Sequence, residues 1–125
     1  MRDFTEWFEQ SDYDMATAES MFATGRYVYA VFMAHLSLEK ALKGVVQKQS
    51  GEMPPKTHDL LLLLKRSGLD PVEGTAKFLI RLNEAQIATR YPESLRAMLQ
   101  LYPESVTRSI LDKAKEAQQW IRQKS

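Results

Sequence analysis

Apolar residues recur at every third or fourth position along most of this chain, which is the spacing of one face of an α-helix. The pattern predicts helices over about residues 4–23, 26–49, 72–89 and 105–122, with a short one between Thr57 and Gly68. No segment shows the strict alternation of apolar and polar residues that indicates a β-strand. Because short loops join these segments, we predict an all-α fold, an up-and-down antiparallel bundle of four to five helices.

The second predicted helix is apolar on more than one face. Val31, Phe32 and Leu42 share one face, and Leu38 and Val45 make a second apolar side. A helix of this kind lies at the centre of a fold or faces a partner chain. So much apolar surface is seldom left in water, so we predict a homodimer held largely by this helix and by part of the fourth.

Glycines and prolines divide these segments. The Pro54-Pro55 pair forbids helix and predicts an extended link, after which Thr57 is predicted to cap the third helix. The motif YPES occurs twice, at residues 91–94 and 102–105. Since a proline can open a helical turn, an extra turn over about residues 94–101 is expected.

Composition narrows the classes of function. A chain of 125 residues is expected to form a single domain over residues 1–125, and its net charge of +1 argues against a broad basic surface for nucleic acid. With no cysteine, two histidines and no glycine-rich phosphate loop, we expect no metal and no cofactor. No apolar run reaches the roughly 20 residues that cross a bilayer, and the acidic N-terminus does not resemble a signal peptide. We therefore expect a cytoplasmic protein without a membrane partner.

The first candidate site is a cluster on the second predicted helix. His35, Glu39 and Lys43 follow one another at four-residue steps, with Lys40 beside them. Glu39 can orient His35 and direct a basic group toward an anion such as a phosphate. The same spacing also describes a ladder of side-chain pairs that only supports the helix, and both interpretations stay open.

Two loops supply the other candidates. Lys56 and His58 lie at the predicted start of the third helix, where free N–H groups can accept a phosphate, although a plain cap explains the same residues. Arg90 and Tyr91 follow the fourth helix, and an arginine beside a tyrosine on a constrained loop suits an anion and a stacked base. In a strictly alternating bundle both loops open at one end, so we expect Lys56 and Arg90 to converge with the Tyr91 ring.

Taken together, these motifs resemble the HEPN domain, a family named for nucleotide binding in higher eukaryotes and prokaryotes. The resemblance implies a helical bundle that is usually a homodimer, often encoded beside a minimal nucleotidyltransferase in modules like toxin–antitoxin pairs. It covers nearly the whole chain and rests on three motifs in order: Phe32-x-Ala34-x(4)-Glu39-Lys40-Ala41-Leu42-Lys43, Pro55-Lys56-Thr57-His58-Asp59-Leu60 and Arg90-Tyr91-Pro92.

The sequence departs from the family in one respect. Many relatives are metal-independent ribonucleases marked by an arginine that is followed four to six residues later by a histidine. Here His35 comes nine residues after Arg26, and no histidine follows Arg90. RNA cleavage needs a cation and a proton carrier of near-neutral pKa. Arg90 can be the cation, but the proton carrier has to be Tyr91 or His58.

Three functions stay open. We favour a dimeric regulatory module that binds a nucleotide or RNA phosphate near Arg90 and Tyr91 and engages a nucleotidyltransferase. The second is a divergent ribonuclease toxin without metal, and the third is a structural dimer with no ligand.

Overall fold

Six α-helices form the fold in a computed structural model that describes residues 3–125. No β-strand occurs in that part of the chain, and the predicted all-helical bundle is confirmed. The expected extra turn over residues 94–101 is the fifth helix. The helices are α1 Phe4–Ala23, α2 Tyr27–Ser50, α3 Leu60–Ser67, α4 Glu73–Arg90, α5 Leu95–Leu101 and α6 Glu104–Lys124.

Helix α2 is the centre of the bundle and packs against α1, α3, α4, α5 and α6. Its apolar side chains on both faces, including Val31, Leu38, Leu42 and Val45, are fully buried by the chain itself. The central position predicted for this helix is confirmed. The premise that its apolar faces need a partner chain was wrong, because five helices of the same chain cover them. A homodimer stays a prediction that has to rest on other surfaces.

Small residues let α1 approach α2 closely. A Cβ added at Gly44 would lie 2.5 Å from the Phe8 ring, so no larger residue fits there without moving that ring. Nearby, Ser11 Oγ donates to the Ser37 carbonyl and Ser37 Oγ donates to the Ser11 carbonyl, both at 2.7 Å. Gln118 on α6 donates to Ser11 Oγ at 2.9 Å, so hydrogen bonds join all three helices where they meet.

The start of α3 differs from the prediction. Its cap is Asp59, whose carboxylate accepts from the Leu61 N–H at 3.0 Å, so Thr57 was wrongly predicted as the cap. Thr57 Oγ1 instead accepts from the Asp59 N–H at 3.1 Å. The reason lies on α4, because Asn83 accepts from the Leu60 N–H at 2.8 Å and donates to Asp59 at 3.1 Å. This contact fixes the start of α3 two residues later.

No helix in the described residues is both long and apolar enough to cross a bilayer. Helix α2 ends at Gly51, whose φ of 75° is left-handed backbone that favours glycine. The loop that follows runs back along α2 toward α3, with Pro54 buried. This loop positions His58.

Candidate functional site

The centre of the site is a hydrogen bond between His58 and Glu39. His58 Nδ1 lies 2.9 Å from Glu39 Oε1, which joins the loop before α3 to the middle of α2. The Glu39 side chain is 4% exposed and the His58 side chain 53% exposed. Two candidates that the sequence places in separate groups therefore belong to one site. Because a carboxylate oxygen accepts from Nδ1–H, the other ring nitrogen carries no hydrogen when His58 is neutral.

The second oxygen of Glu39 binds Lys43. Lys43 Nζ lies 3.0 Å from Glu39 Oε2, and the same ammonium is 5.5 Å from the centre of the Trp7 ring. A buried carboxylate is costly unless charged or polar partners surround it. Lys43 and His58 supply those partners, so they hold the Glu39 carboxylate, and through it the His58 ring, in one orientation.

His35 lies one turn before Glu39 and is 1% exposed. Within residues 3–125 neither of its ring nitrogens makes a hydrogen bond of normal geometry. Burial lowers the pKa of His35 to about 4, against the opposing charge of Glu39 at 4.0 Å, and the nearby charges of Arg90 and His58 lower it further. The Asn83 side chain is close enough to favour the protonated form slightly. His35 is therefore a neutral, buried imidazole at pH 7.

Arg90 closes the other side of the site from the end of α4. Its guanidinium carbon lies 4.7 Å from the centre of the Phe32 ring on α2, and its Nε donates to Gln86 Oε1 at 3.3 Å. The Nη2 atom is buried, and no acceptor in the described chain reaches it. Buried N–H groups without an acceptor are rare in folded proteins, so the position of Arg90 has room for an acceptor from outside the chain.

Three further candidates lie outside this cluster. Lys40 points to α1 and pairs with Asp14 at 2.9 Å, so it stabilises the contact of the two helices. Tyr91 follows Arg90 but its side chain is 74% exposed, and Lys56 is exposed with no ion pair among the described residues. The structure thus brings His35, Glu39, Lys43, His58 and Arg90 together and leaves Lys40, Lys56 and Tyr91 apart from them.

Sequence reasoning missed two polar residues of α4. Asn83 touches both the start of α3 and His35, and Gln86 holds Arg90. Asn83, Gln86 and Arg90 are spaced three and four residues apart, so they share one face of α4. That polar stripe on a helix that packs against α2 was a signal that could have found them.

A family model for the HEPN domain matches residues 4–124, nearly the full chain. The chain belongs to the HEPN domain family. The HEPN fold is also found in the crystal structure of TT1696 from Thermus thermophilus, with a TM-score of 0.85 and 23% identity over 100% of both chains. ST0689, an archaeal HEPN homologue, superposes with a TM-score of 0.78 at 23% identity over 99% of this chain and 98% of its own. No curated protein is significantly similar in sequence.

In this HEPN chain the site combines a cation, a neutral buried imidazole and a carboxylate-oriented histidine between α2 and α4. No three His, Asp or Glu side chains among residues 3–125 lie close enough together to hold a metal ion. The groups present can therefore bind an anion at Arg90 and transfer a proton at His58.

Proposed function

We propose that this HEPN protein binds the phosphate of a nucleotide or an RNA between α2 and α4 and acts as a regulatory module. The observation that carries the proposal is Arg90, whose buried Nη2 lacks an acceptor beside a His35 that has no hydrogen-bond partner of normal geometry in residues 3–125. A small rotation of the guanidinium turns Nη2 toward an incoming phosphate oxygen. Arginine is suited to this role because its planar fork matches a phosphate with two parallel hydrogen bonds.

The other groups of the site support an anionic ligand. The charges of Arg90 and His58 both act on the pKa of His35, so the two cationic side chains lie on either side of it. His58 is half exposed and can reach a ligand in solvent, while Glu39 already has Lys43 as a partner when His58 turns away. A phosphate can thus take the His58 contact without leaving the Glu39 carboxylate unpaired.

The test is the affinity of the Arg90→Ala variant for a fluorescein-labelled RNA oligonucleotide and for ATP, followed by anisotropy and calorimetry. A charge-assisted hydrogen bond contributes about 1.5–3 kcal/mol, so we expect binding to weaken roughly tenfold or more. Arg96→Ala is the matched control, since Arg96 is exposed on α5 and has no ion pair in residues 3–125. Unchanged binding by Arg90→Ala, together with its loss in Lys43→Ala, would place the site elsewhere on α2.

We also propose that the protein is a homodimer. Ile80 and Ile87 are exposed seven residues apart on one face of α4, and Leu95 and Leu99 are exposed four residues apart on α5. These apolar faces, rather than α2, are the surfaces available to a second copy. Sedimentation at micromolar concentration should give a dimer, and Ile87→Glu should give a monomer. Tyr13→Glu, a change of an exposed aromatic side chain on α1, is the control and should leave the dimer intact.

A nucleotidyltransferase is the partner protein that we propose, within a module like a toxin–antitoxin pair. Support comes from the resemblance to stand-alone HEPN proteins that are encoded beside such an enzyme. The test is whether the adjacent open reading frame encodes a small nucleotidyltransferase and whether the two chains co-elute after co-expression. Separate elution of the two chains would contradict the proposed complex.

A metal-independent ribonuclease is the second candidate, favoured by the 2.9 Å hydrogen bond from His58 to Glu39. In that reaction His58 takes the proton of a 2′-hydroxyl, the 2′-oxygen attacks phosphorus, and the 5′-oxygen leaves with a proton from solvent. Arg90 stabilises the charge on the phosphorane. Cleavage of total RNA in the presence of a chelator that stops in both His58→Gln and Arg90→Ala would support an enzyme. Intact RNA with the unaltered protein, despite tight binding, would leave the regulatory function.

A further inference from the structure

A cleft separates α4 from α6 on the side of the bundle away from the Arg90 site. Both helices pack on α2, and between them lie two connected spaces of about 470 and 190 Å³. Phe78 and Arg81 line both spaces, so they form one continuous cleft. The larger part lies within the range of roughly 300–1,000 Å³ that is typical of small-molecule sites.

The lining of the larger part combines apolar and cationic groups. Phe78 and Ala117 form its floor, and both are buried. Arg81 and Lys113 stand at its edge without an ion pair among the described residues. Lys77 also lines the cleft but is paired with Glu73 at 3.0 Å.

One acidic residue opposes these cations. Glu116 lines the same part of the cleft, so the two unpaired cations exceed the unpaired acids there by one charge. An apolar floor under an excess of positive charge suits a ligand with a flat apolar body and an anionic group.

We infer that this cleft binds a small organic anion that carries an aromatic ring. The ring packs on Phe78 and Ala117, and the acidic group lies between Arg81 and Lys113. The site is distinct from the proposed phosphate site, because Arg81 precedes Arg90 by nine residues, or about 13 Å along the helix at 1.5 Å per residue.

The experiment compares naphthalene-1-sulfonate with naphthalene-1-sulfonamide, which have the same ring system with and without the negative charge. We expect the sulfonate to bind at least tenfold more tightly and to shift the amide resonances of Gly74, Thr75 and Ala117, which line the cleft. Arg81→Gln and Lys113→Gln should each weaken the sulfonate several-fold and leave the sulfonamide unchanged. Lys65→Gln, which removes an exposed charge on α3, is the matched control and should bind both probes like the parent.

Equal binding of the two probes would overturn the inference, because an apolar surface alone would then explain it. So would amide shifts confined to other helices, or a loss in Lys65→Gln as large as that in Arg81→Gln. Arg90→Ala should bind the sulfonate like the parent. Failure of this cleft and failure of the phosphate site would therefore be seen in different variants.

Discussion

The polar groups buried between α1, α2 and α6 bond to one another, whereas those between α2 and α4 leave atoms without partners. On the first side Ser11, Ser37 and Gln118 form a closed set of hydrogen bonds. On the second side His35 and Arg90 hold buried nitrogens that no group in residues 3–125 satisfies. A buried polar group without a partner lowers stability, so the contrast separates a side that holds the fold from a side suited to a ligand.

The largest effect that tests this contrast is the dependence of stability on pH. The pKa of His35 is lowered from 6.5 to about 4 in the folded protein, so the unfolded chain binds its proton first as the pH falls. Stability is fully present above pH 6.5 and is lost between pH 6.5 and 4, by roughly 3 kcal/mol at 1.36 kcal/mol per pKa unit. Urea unfolding at pH 7.5, 5.5 and 4.5 measures it.

His35→Leu is the variant that assigns this loss, and its stability should change far less over that pH range. Glu19 is a separate source of acid sensitivity, because Arg108 and Lys115 lower its pKa to about 2, but its contribution is lost only below pH 4.5. A parent protein equally stable at pH 7.5 and 4.5 would show that His35 is not held neutral by burial.

Next in size is a pair of glycine substitutions. Gly44→Ala forces the buried Phe8 ring to move and should lower the free energy of unfolding by about 1–3 kcal/mol. Gly74→Ala meets nothing within 4 Å and should raise it, by up to about 1 kcal/mol, because alanine favours a helix over glycine. Chemical denaturation of both variants checks the opposite signs. A stable Gly44→Ala would mean that α1 is not tightly packed on α2.

A smaller effect is expected at His35 itself. Replacing this neutral imidazole by leucine removes two buried nitrogens that lack hydrogen bonds, so His35→Leu should raise stability at pH 7.5 by about 1–2 kcal/mol. Ser37→Val is the counterpart on the satisfied side and should lower stability, because Gln118 and Ser11 lose a partner. A destabilised His35→Leu would place His35 among the residues that hold the fold.

The smallest effect concerns Tyr91. Its side chain is 74% exposed, so Tyr91→Ala should change the free energy of unfolding by less than about 0.5 kcal/mol. A ring that stacks on a base contributes about 1–3 kcal/mol, so RNA binding should still fall at least several-fold if Tyr91 joins the site. Anisotropy and thermal unfolding of this one variant separate the two roles. Unchanged RNA binding would restrict the site to the groups between α2 and α4.

The helices were predictable because their signals are local. Three- and four-residue spacing placed all of them, and the second YPES motif marks the start of α6. The cap of α3 was not predictable from its own segment, because Asn83 on α4 decides it. Spacing likewise grouped Lys40 with Glu39, although their side chains point to different helices, Lys40 to Asp14 on α1.

The same distinction applies to the site. His35, Glu39 and Lys43 are neighbours on one helix, so the sequence could group them. The contact of His58 with Glu39 depends on the path of the loop between α2 and α3, which has no periodic signal. That α2 is covered by its own chain depends on the packing of five other helices, and no single segment shows it.

The Asn83 side chain has a mechanical consequence. Its amide binds both Asp59 and Leu60, so α3 and α4 are linked where they meet, while the His58–Glu39 bond links the preceding loop to α2. The spacing of α2 and α4 is thus spanned by two linkages in series, one on each side of Asp59. A ligand that pushes the helices apart strains the half-exposed His58–Glu39 linkage first, since water can replace that bond more readily. We therefore expect the loop before α3 to open as a hinged flap, with Asn83 as its fixed end.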